Sequence, residues 1–185
     1  MYNQELDCNC TNLDHHKFDN LMNQEFATPI LVENIVSKSF CISFDFEHFD
    51  ENLNLSSHDI LKELKDKMGV YCLWAYEGQC TEHDMHRMLC LYVGKGFVFD
   101  RVKSHIKTKW PHCETLYITF FECNNRFAKY IEQLFLDSYE FYLNKEENSG
   151  TGYLAAMWDE ERFTHGTQLE EHAELLANKF PEQFQ

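Results

Sequence analysis

The chain has 185 residues, of which 44% are hydrophobic and 15% aromatic, enough for one domain with a buried core. No run approaches the ~20 apolar residues of a membrane-spanning helix, and residues 1–12 are polar and acidic, so we expect a cytoplasmic protein without membrane contact. The formal net charge of −15 argues against a nucleic-acid ligand, because phosphate binding uses lysine and arginine.

The charge is unevenly distributed along the chain. Residues 1–66 and residues 131–185 each carry a net charge of −9, whereas residues 67–130 carry +3. Any phosphate site is therefore expected in the central segment. We expect a single compact domain with three parts: an acidic N-terminal extension packed on the core (1–66), a core (67–148) and an acidic helical C-terminal extension (149–185).

The cysteines favour a reducing interior. Cys72 and Cys90 fall in apolar strand-like runs, where a reduced thiol behaves as a small hydrophobic side chain. Two groups of cysteines and histidines invite comparison with zinc sites, but neither has a Cys-x-x-Cys pair with a second pair at the usual distance. The sequence favours exposed loop residues for both groups, which are Cys8, Cys10, His15 and His16, and separately Cys80, His83 and His86.

The N-terminal third has few periodic signals. Residues 1–28 show no sustained period, and a short helix is predicted over 30–36. Alternation of apolar and polar residues over 40–46 predicts an additional strand. Ser56-Ser57 followed by apolar residues at helical spacing predicts a short capped helix over 58–66.

The central segment has the clearest pattern. Strands are predicted over 68–76 and 89–94, joined by a polar loop as an antiparallel hairpin, with a third strand over 115–123. Helices are predicted over 98–107 and about 126–143. This β-β-α-β-α order with flanking helices predicts an α/β (α+β) fold with a small central antiparallel three-stranded sheet.

Three side chains in the two predicted helices carry chemistry. Arg101 and His105 lie one helical turn apart, beside a line of apolar residues spaced by four. Glu132 lies within the apolar stripe of the long helix. A carboxylate there is costly to desolvate unless it meets a cation, a metal ion or a hydrogen-bond donor.

Five sequence elements follow one another in a fixed order, namely Gly69-Val70-Tyr71, Tyr92-Val93-Gly94, Arg101, Glu132 and Asn144. In this order they resemble the motifs of the GIY-YIG nuclease family. The resemblance covers about residues 67–145, roughly half the chain. The long gap between the tripeptides, the histidine one turn after Arg101 and the distance from Glu132 to Asn144 are most similar to the restriction-endonuclease branch.

The resemblance implies a catalytic role for each of five residues. By similarity, Tyr71 orients or deprotonates the attacking water, and Tyr92 supports the same pocket. Arg101 supplies positive charge and binds the phosphate with its fork of donors. His105 assists as a proton acceptor or phosphate contact, and Glu132 holds a single divalent ion, Mg²⁺ or Mn²⁺.

The resemblance also implies three substrate-binding residues. Lys95 is expected to bind the nucleic-acid backbone, and Asn144 to orient a neighbour or contact phosphate. Gly94 is the third residue expected to contact the substrate. A duplex cutter with one site must either dimerise or act twice, so a homodimer is one of two expectations, and the amphipathic helix over 169–180 is a candidate dimer surface as well as a core helix.

The sequence as a whole predicts a metal-dependent endonuclease acting on DNA, as a defence or restriction enzyme or a toxin-like nuclease. Two alternatives stay open. One is an RNA-directed nuclease, and the other is a non-catalytic interaction protein that keeps the fold and whose acidic flanks engage a basic partner. Taken singly, strand tyrosines are most often packing residues, and Arg101 with His105 is an ordinary exposed helix face.

Overall fold

The computed structural model describes residues 10, 13–44, 63–110, 115–145 and 148–167. Five strands, β1 to β5, form one antiparallel sheet in the order β1-β4-β2-β3-β5. The strands are Phe40–Phe44, Met68–Cys80, Met85–Phe97, Leu116–Glu122 and Ala155–Trp158. The helices, α1 to α5, are His16–Glu25, Val32–Val36, Val98–Thr108, Asn125–Ser138 and Glu160–His165.

The mixed α/β class with a central antiparallel sheet is confirmed, and the three-stranded detail is wrong. The two additional strands lie at the edges of the sheet, where β1 pairs with β4 and β5 pairs with β3. The alternation over 40–46 predicted the first of them. The second has no polar–apolar alternation, because three of its four residues are buried.

The β2–β3 hairpin is longer than predicted. Its strands extend to Cys80 and start again at Met85, with Asp84 in a left-handed turn conformation (φ 52°). The predicted polar loop is therefore mostly strand. Its side chains are polar because this end of the hairpin is largely solvent-exposed, and Arg87 pairs there with Glu77 across the ladder, with 2.6 Å between Nε and Oε2.

Each face of the sheet has its own hydrophobic core. The first core contains residues of α1, α2 and α4, together with Val70, Cys72 and Val93 from the hairpin. The second core lies under α3, whose buried residues Val98, Val102 and Ile106 are the apolar line predicted from the sequence. Alternate residues of β2 therefore enter different cores: Val70 and Cys72 the first, Tyr71 and Leu73 the second.

Gly69, the first residue of the Gly-Val-Tyr motif, allows β2 and β4 to approach closely. A Cβ atom at this position would lie 2.1 Å from the carbonyl oxygen of Phe121 and 2.7 Å from the Phe120 ring. Because a backbone oxygen cannot move away without breaking the ladder, any larger residue here would separate the two strands. The glycine thus fixes the strand on which Tyr71 is carried.

The predicted helix over 126–143 ends earlier, at Ser138. Asn124 caps its start, its Oδ1 accepting from the backbone N–H of Phe127 at 2.9 Å. After Ser138 the chain becomes extended, and the buried side chains of Tyr139 and Phe141 enter the first core. Tyr139, which suggested a longer helix, is buried by this extended segment instead, whereas Leu143 is half-buried against the second core.

Two predicted helices fall largely outside the described residues: the one over 58–66, of which residues 63–66 are described, and the one over 169–180. The candidate dimer surface over 169–180 therefore lies outside the described residues. Among the helices that are described, none combines the length and apolar composition needed to cross a bilayer.

Candidate active site

The candidate site lies where α3 runs back along β3. The helix begins directly after the strand, so that Phe97 ends β3 and Val98 begins α3. Four helical residues rise about 6 Å, and two strand residues span about 6.7 Å. Residues spaced by four on α3 therefore lie above residues spaced by two on β3. The helix row contains Arg101, His105 and Lys109, and the strand row contains Gly96, Gly94 and Tyr92.

Contacts follow this matched spacing. A Cβ atom at Gly96 would lie 3.7 Å from Nε of Arg101. The His105 ring lies 4.5 Å from the Tyr92 ring between centroids, and Nζ of Lys109 lies 4.2 Å from the centroid of Tyr92. One face of α3 thus presents a guanidinium, an imidazole and an ammonium to one row of β3.

Tyr71 completes the centre of the site. It lies opposite Gly94 in the hairpin ladder, and its hydroxyl is 2.9 Å from Nε2 of His105. Its ring centroid is 5.9 Å from that of Tyr92. A Cβ atom on Gly94 would lie 2.6 Å from the Tyr71 hydroxyl and 2.7 Å from the Tyr92 ring, so the glycine provides the space that both phenols occupy.

The two phenols differ in their surroundings. Tyr71 is only 1% exposed, and burial raises its pKa far above the ordinary value, with further increases from Tyr92 and Glu132 and a decrease from Arg101. Tyr92 is half-buried. Burial raises its pKa too, and so does the charge of Glu132, whereas the interaction with Tyr71 and the charge of Arg101 lower it. Tyr71 therefore stays protonated at neutral pH, and Tyr92 is the phenol that ionises more readily.

His105 is held in its neutral form. Burial lowers its pKa to about 4, and the charges of Lys109 and Arg101 act in the same direction. Its Nδ1 atom is buried and has no hydrogen-bond partner within the described part of the chain. A buried imidazole with one unsatisfied nitrogen costs stability, and such groups are often kept for function. The neutral ring has a nitrogen that can accept a hydrogen bond or a proton, and its lowered pKa makes it a weaker base than an ordinary histidine.

This pKa predicts a pH dependence of stability. The folded chain keeps His105 neutral down to about pH 4, whereas the unfolded chain protonates it near pH 6.5. We therefore expect the stability present above pH 6.5 to be lost as the pH falls towards 4, by at most about 3 kcal/mol from this group. Urea unfolding at a series of pH values would measure it.

The control for that measurement is His105→Gln, which keeps a polar group near the Tyr71 hydroxyl but does not titrate. Other groups titrate in the same range and are common to both proteins. The variant should lose less stability than the wild type between pH 6.5 and 4.5. Equal losses would contradict the assignment of a lowered pKa to His105.

The negative charge of the site comes from α4. This helix packs against β2 and β3 and carries the half-buried Glu132. The charge of Glu132 raises the pKa of both Tyr71 and Tyr92, so its field reaches both phenols. Mg²⁺ is usually held by one or two carboxylates, with water and phosphate oxygens as further ligands. Glu132 is half-buried on α4, which packs in the first core on the other face of the sheet from Tyr71, and its carboxylate, whose charge acts on both phenols, can supply one ligand of such an ion.

Asn144 takes the place of a neighbouring strand. Where β5 no longer covers β3, the Asn144 Oδ1 accepts from the N–H of Val93 at 3.0 Å and its Nδ2 donates to the carbonyl of Val93 at 2.9 Å. The backbone N–H of Leu143 donates to Leu91 in the same row. These contacts hold the backbone of Val93, which lies between Tyr92 and Gly94.

The structure brings some predicted residues together and leaves one apart. Tyr71, Tyr92 and His105 are in contact, and Arg101 and Glu132 act on the two phenols through their charges. Lys95 opposes Val70, a residue of the first core, and therefore lies on the opposite face of the sheet from Tyr71.

Lys109 is a site residue that the sequence interpretation missed. The predicted helix ended at residue 107, two residues too early for the third member of the row, whereas α3 ends at Thr108 with Lys109 as its C-cap. The signal was the spacing by four that already joined Arg101 to His105. Lys145, whose charge lowers the pKa of Lys109, adds a further cation nearby.

Comparison with known proteins identifies no relative of this chain. No protein-family model matches the chain, and neither does any curated protein or solved structure. The resemblance to the GIY-YIG nuclease family therefore depends on the five ordered sequence elements alone.

Proposed function

We propose that this chain is a divalent-metal-dependent endonuclease that hydrolyses phosphodiester bonds in DNA. The observation that carries the proposal is the contact between the Tyr71 hydroxyl and the neutral His105 Nε2, with Arg101 four residues before His105 and Lys109 four residues after it. A phenol, a neutral imidazole, cations and a carboxylate can supply the proton transfer and the charge stabilisation that phosphodiester hydrolysis requires.

The cationic side chains of Arg101 and Lys109 would bind the phosphate. Arg101 is exposed at the start of α3 and presents a fork of donors that suits two phosphate oxygens. Lys109 lies over the ring of Tyr92, four residues beyond His105. Both lie in the net basic segment, so a polyanion meets positive charge here although the chain as a whole is acidic.

Tyr71 and His105 accept and pass on the proton of the attacking water. A water oxygen attacks phosphorus, and the bond from phosphorus to the leaving oxygen breaks, its electron pair passing to that oxygen, which takes a proton from solvent. The attacking water gives its proton to the Tyr71 oxygen as the Tyr71 proton passes to Nε2 of His105. This relay needs no free tyrosinate, which the high pKa of Tyr71 would make scarce.

Glu132 would bind the metal ion. Its carboxylate would hold Mg²⁺ or Mn²⁺, which supplies charge neutralisation at the phosphate when bound. Tyr92 supports the same region by packing against His105 and Tyr71. Asn144 holds the strand that carries Tyr92, through the backbone of Val93.

The test is cleavage by the purified untagged chain. With Mg²⁺ or Mn²⁺ we expect supercoiled plasmid to become nicked and then linear, and a chelator such as EDTA should stop the reaction. Linear duplex, single-stranded DNA and matched RNA complete the comparison. If every DNA stays uncut with both metals, the proposal is wrong, and cleavage of RNA alone would assign the same site to the other nucleic acid.

A further inference from the structure

A second group of metal-binding side chains lies at the far end of the β2–β3 hairpin. The sulfur atoms of Cys10 and Cys80 and a ring nitrogen of His83 all lie within 4.8 Å of one another. About nine strand residues separate Cys80 from Tyr71, a distance of about 30 Å. The group is therefore remote from the candidate active site.

The spacing within the group suits tetrahedral zinc. The Cys80 Sγ and the His83 Nδ1 are 3.6 Å apart. With Zn–S of about 2.3 Å and Zn–N of about 2.0–2.1 Å, tetrahedral geometry places a sulfur and a nitrogen ligand about 3.6 Å from each other. Two thiols and an imidazole are the donors that zinc prefers, whereas Mg²⁺ and Ca²⁺ prefer oxygen.

The hairpin presents two of these ligands together. Cys80 is the last residue of β2, and His83 lies in the turn that leads to β3. The Gln79 side chain closes this turn by donating to Asp84 Oδ1 at 2.9 Å. Cys10 comes from a segment 70 residues earlier in the sequence, so its arrival at the same point is a long-range contact.

The other histidines that the sequence grouped with these cysteines have different partners. His86 is buried, lies 2.7 Å from a carboxylate oxygen of Glu160 and stacks on the Phe163 ring. His15 makes a 3.0 Å contact with the carbonyl oxygen of Ala155. Cys10, from the first of the two groups seen in the sequence, thus lies beside Cys80 and His83 from the second.

We propose that Cys10, Cys80 and His83 bind a structural zinc ion that fixes the N-terminal segment to the tip of the β2–β3 hairpin. The fourth coordination position is open to water. Zinc joining distant segments of a chain contributes directly to folding.

The first measurement is metal content of the untagged full chain under reducing conditions. After incubation with zinc and gel filtration, we expect about one zinc per chain, and at least about a fivefold lower content in Cys80→Ser and in His83→Gln. His83 is exposed, so its variant should keep the fold. Cys123→Ser and His165→Gln remove a cysteine and an exposed histidine elsewhere and should retain zinc.

Cobalt substitution and thermal unfolding provide independent readouts. Co²⁺ in the wild type should show thiolate-to-metal charge-transfer bands and intense tetrahedral visible bands, which weaken in Cys10→Ser. A chelator should lower the Tm of the wild type but leave that of His83→Gln nearly unchanged. A wild type that binds no zinc while its thiols are reduced, or variants that bind as much as the wild type, would overturn the proposal. None of these measurements involves DNA cleavage.

Discussion

Replacing Glu132 by glutamine is expected to lower magnesium-dependent DNA cleavage at least about 100-fold. Glutamine has the same shape as glutamate but no charge, so it should leave α4 folded while removing the only carboxylate assigned to the metal. Plasmid nicking rates at matched protein concentration, with Mg²⁺ and with Mn²⁺, would measure the effect. Glu140→Gln changes an exposed glutamate just beyond the same helix and should cleave at the wild-type rate.

The same variant has a readout that does not depend on activity. Because the charge of Glu132 raises the pKa of Tyr92, its removal should lower that pKa, while burial continues to raise it. NMR titration of the chain with ¹³Cζ-labelled tyrosine resolves this phenol from the other eight. Wild-type cleavage by Glu132→Gln would contradict its metal-binding role, and an unchanged Tyr92 pKa would contradict its place beside the phenols.

Replacing Tyr71 by phenylalanine is expected to lower cleavage by about 100-fold or more, the usual contribution of a positioned proton-transfer group. The ring stays in the second core, so the variant removes only the hydroxyl that contacts His105. Stability should fall by about 1–3 kcal/mol, since a buried hydrogen bond is lost and His105 Nε2 is left without its partner. Cleavage assays and urea unfolding measure the two effects separately.

Two further variants distinguish the hydroxyl from general damage. Gly94→Ala should reproduce the loss of cleavage without removing any atom of Tyr71, because the new Cβ would lie 2.6 Å from its hydroxyl and displace it. Tyr153→Phe is the matched control, since Tyr153 is 67% exposed. A fully active Tyr71→Phe enzyme would refute the proton relay. Equal losses in Tyr71→Phe and Tyr153→Phe would point to the assay rather than the site.

The parts of the candidate site that the sequence predicted are those whose residues follow the regular spacing of a helix or a strand. Arg101 and His105 were placed on one helix face by their spacing, and the tripeptides were placed in strands by their apolar neighbours. Lys109 follows the same spacing but lies beyond the predicted end of the helix. Local patterns thus identified the elements better than their ends.

Long-range contacts explain what the sequence could not predict. The strand Ala155–Trp158 is short and buried, so it lacks the alternation that revealed Phe40–Phe44. Grouping cysteines and histidines by sequence distance separated Cys10 from Cys80, although their sulfur atoms are close in space. Asn144 gave no sign that its amide would pair with a strand, because that contact depends on where β5 stops.

The direct connection between β3 and α3 limits how the site can move. Because Arg101 and His105 share one helix face and Lys109 caps the end of the same helix, any displacement of α3 along the strand would shift all three together. The N–H of Val98 donates to the carbonyl of Lys67 at 3.1 Å, which holds the beginning of the helix to the start of β2. A ligand would therefore meet these groups already oriented, and little of its binding free energy would be spent on ordering them.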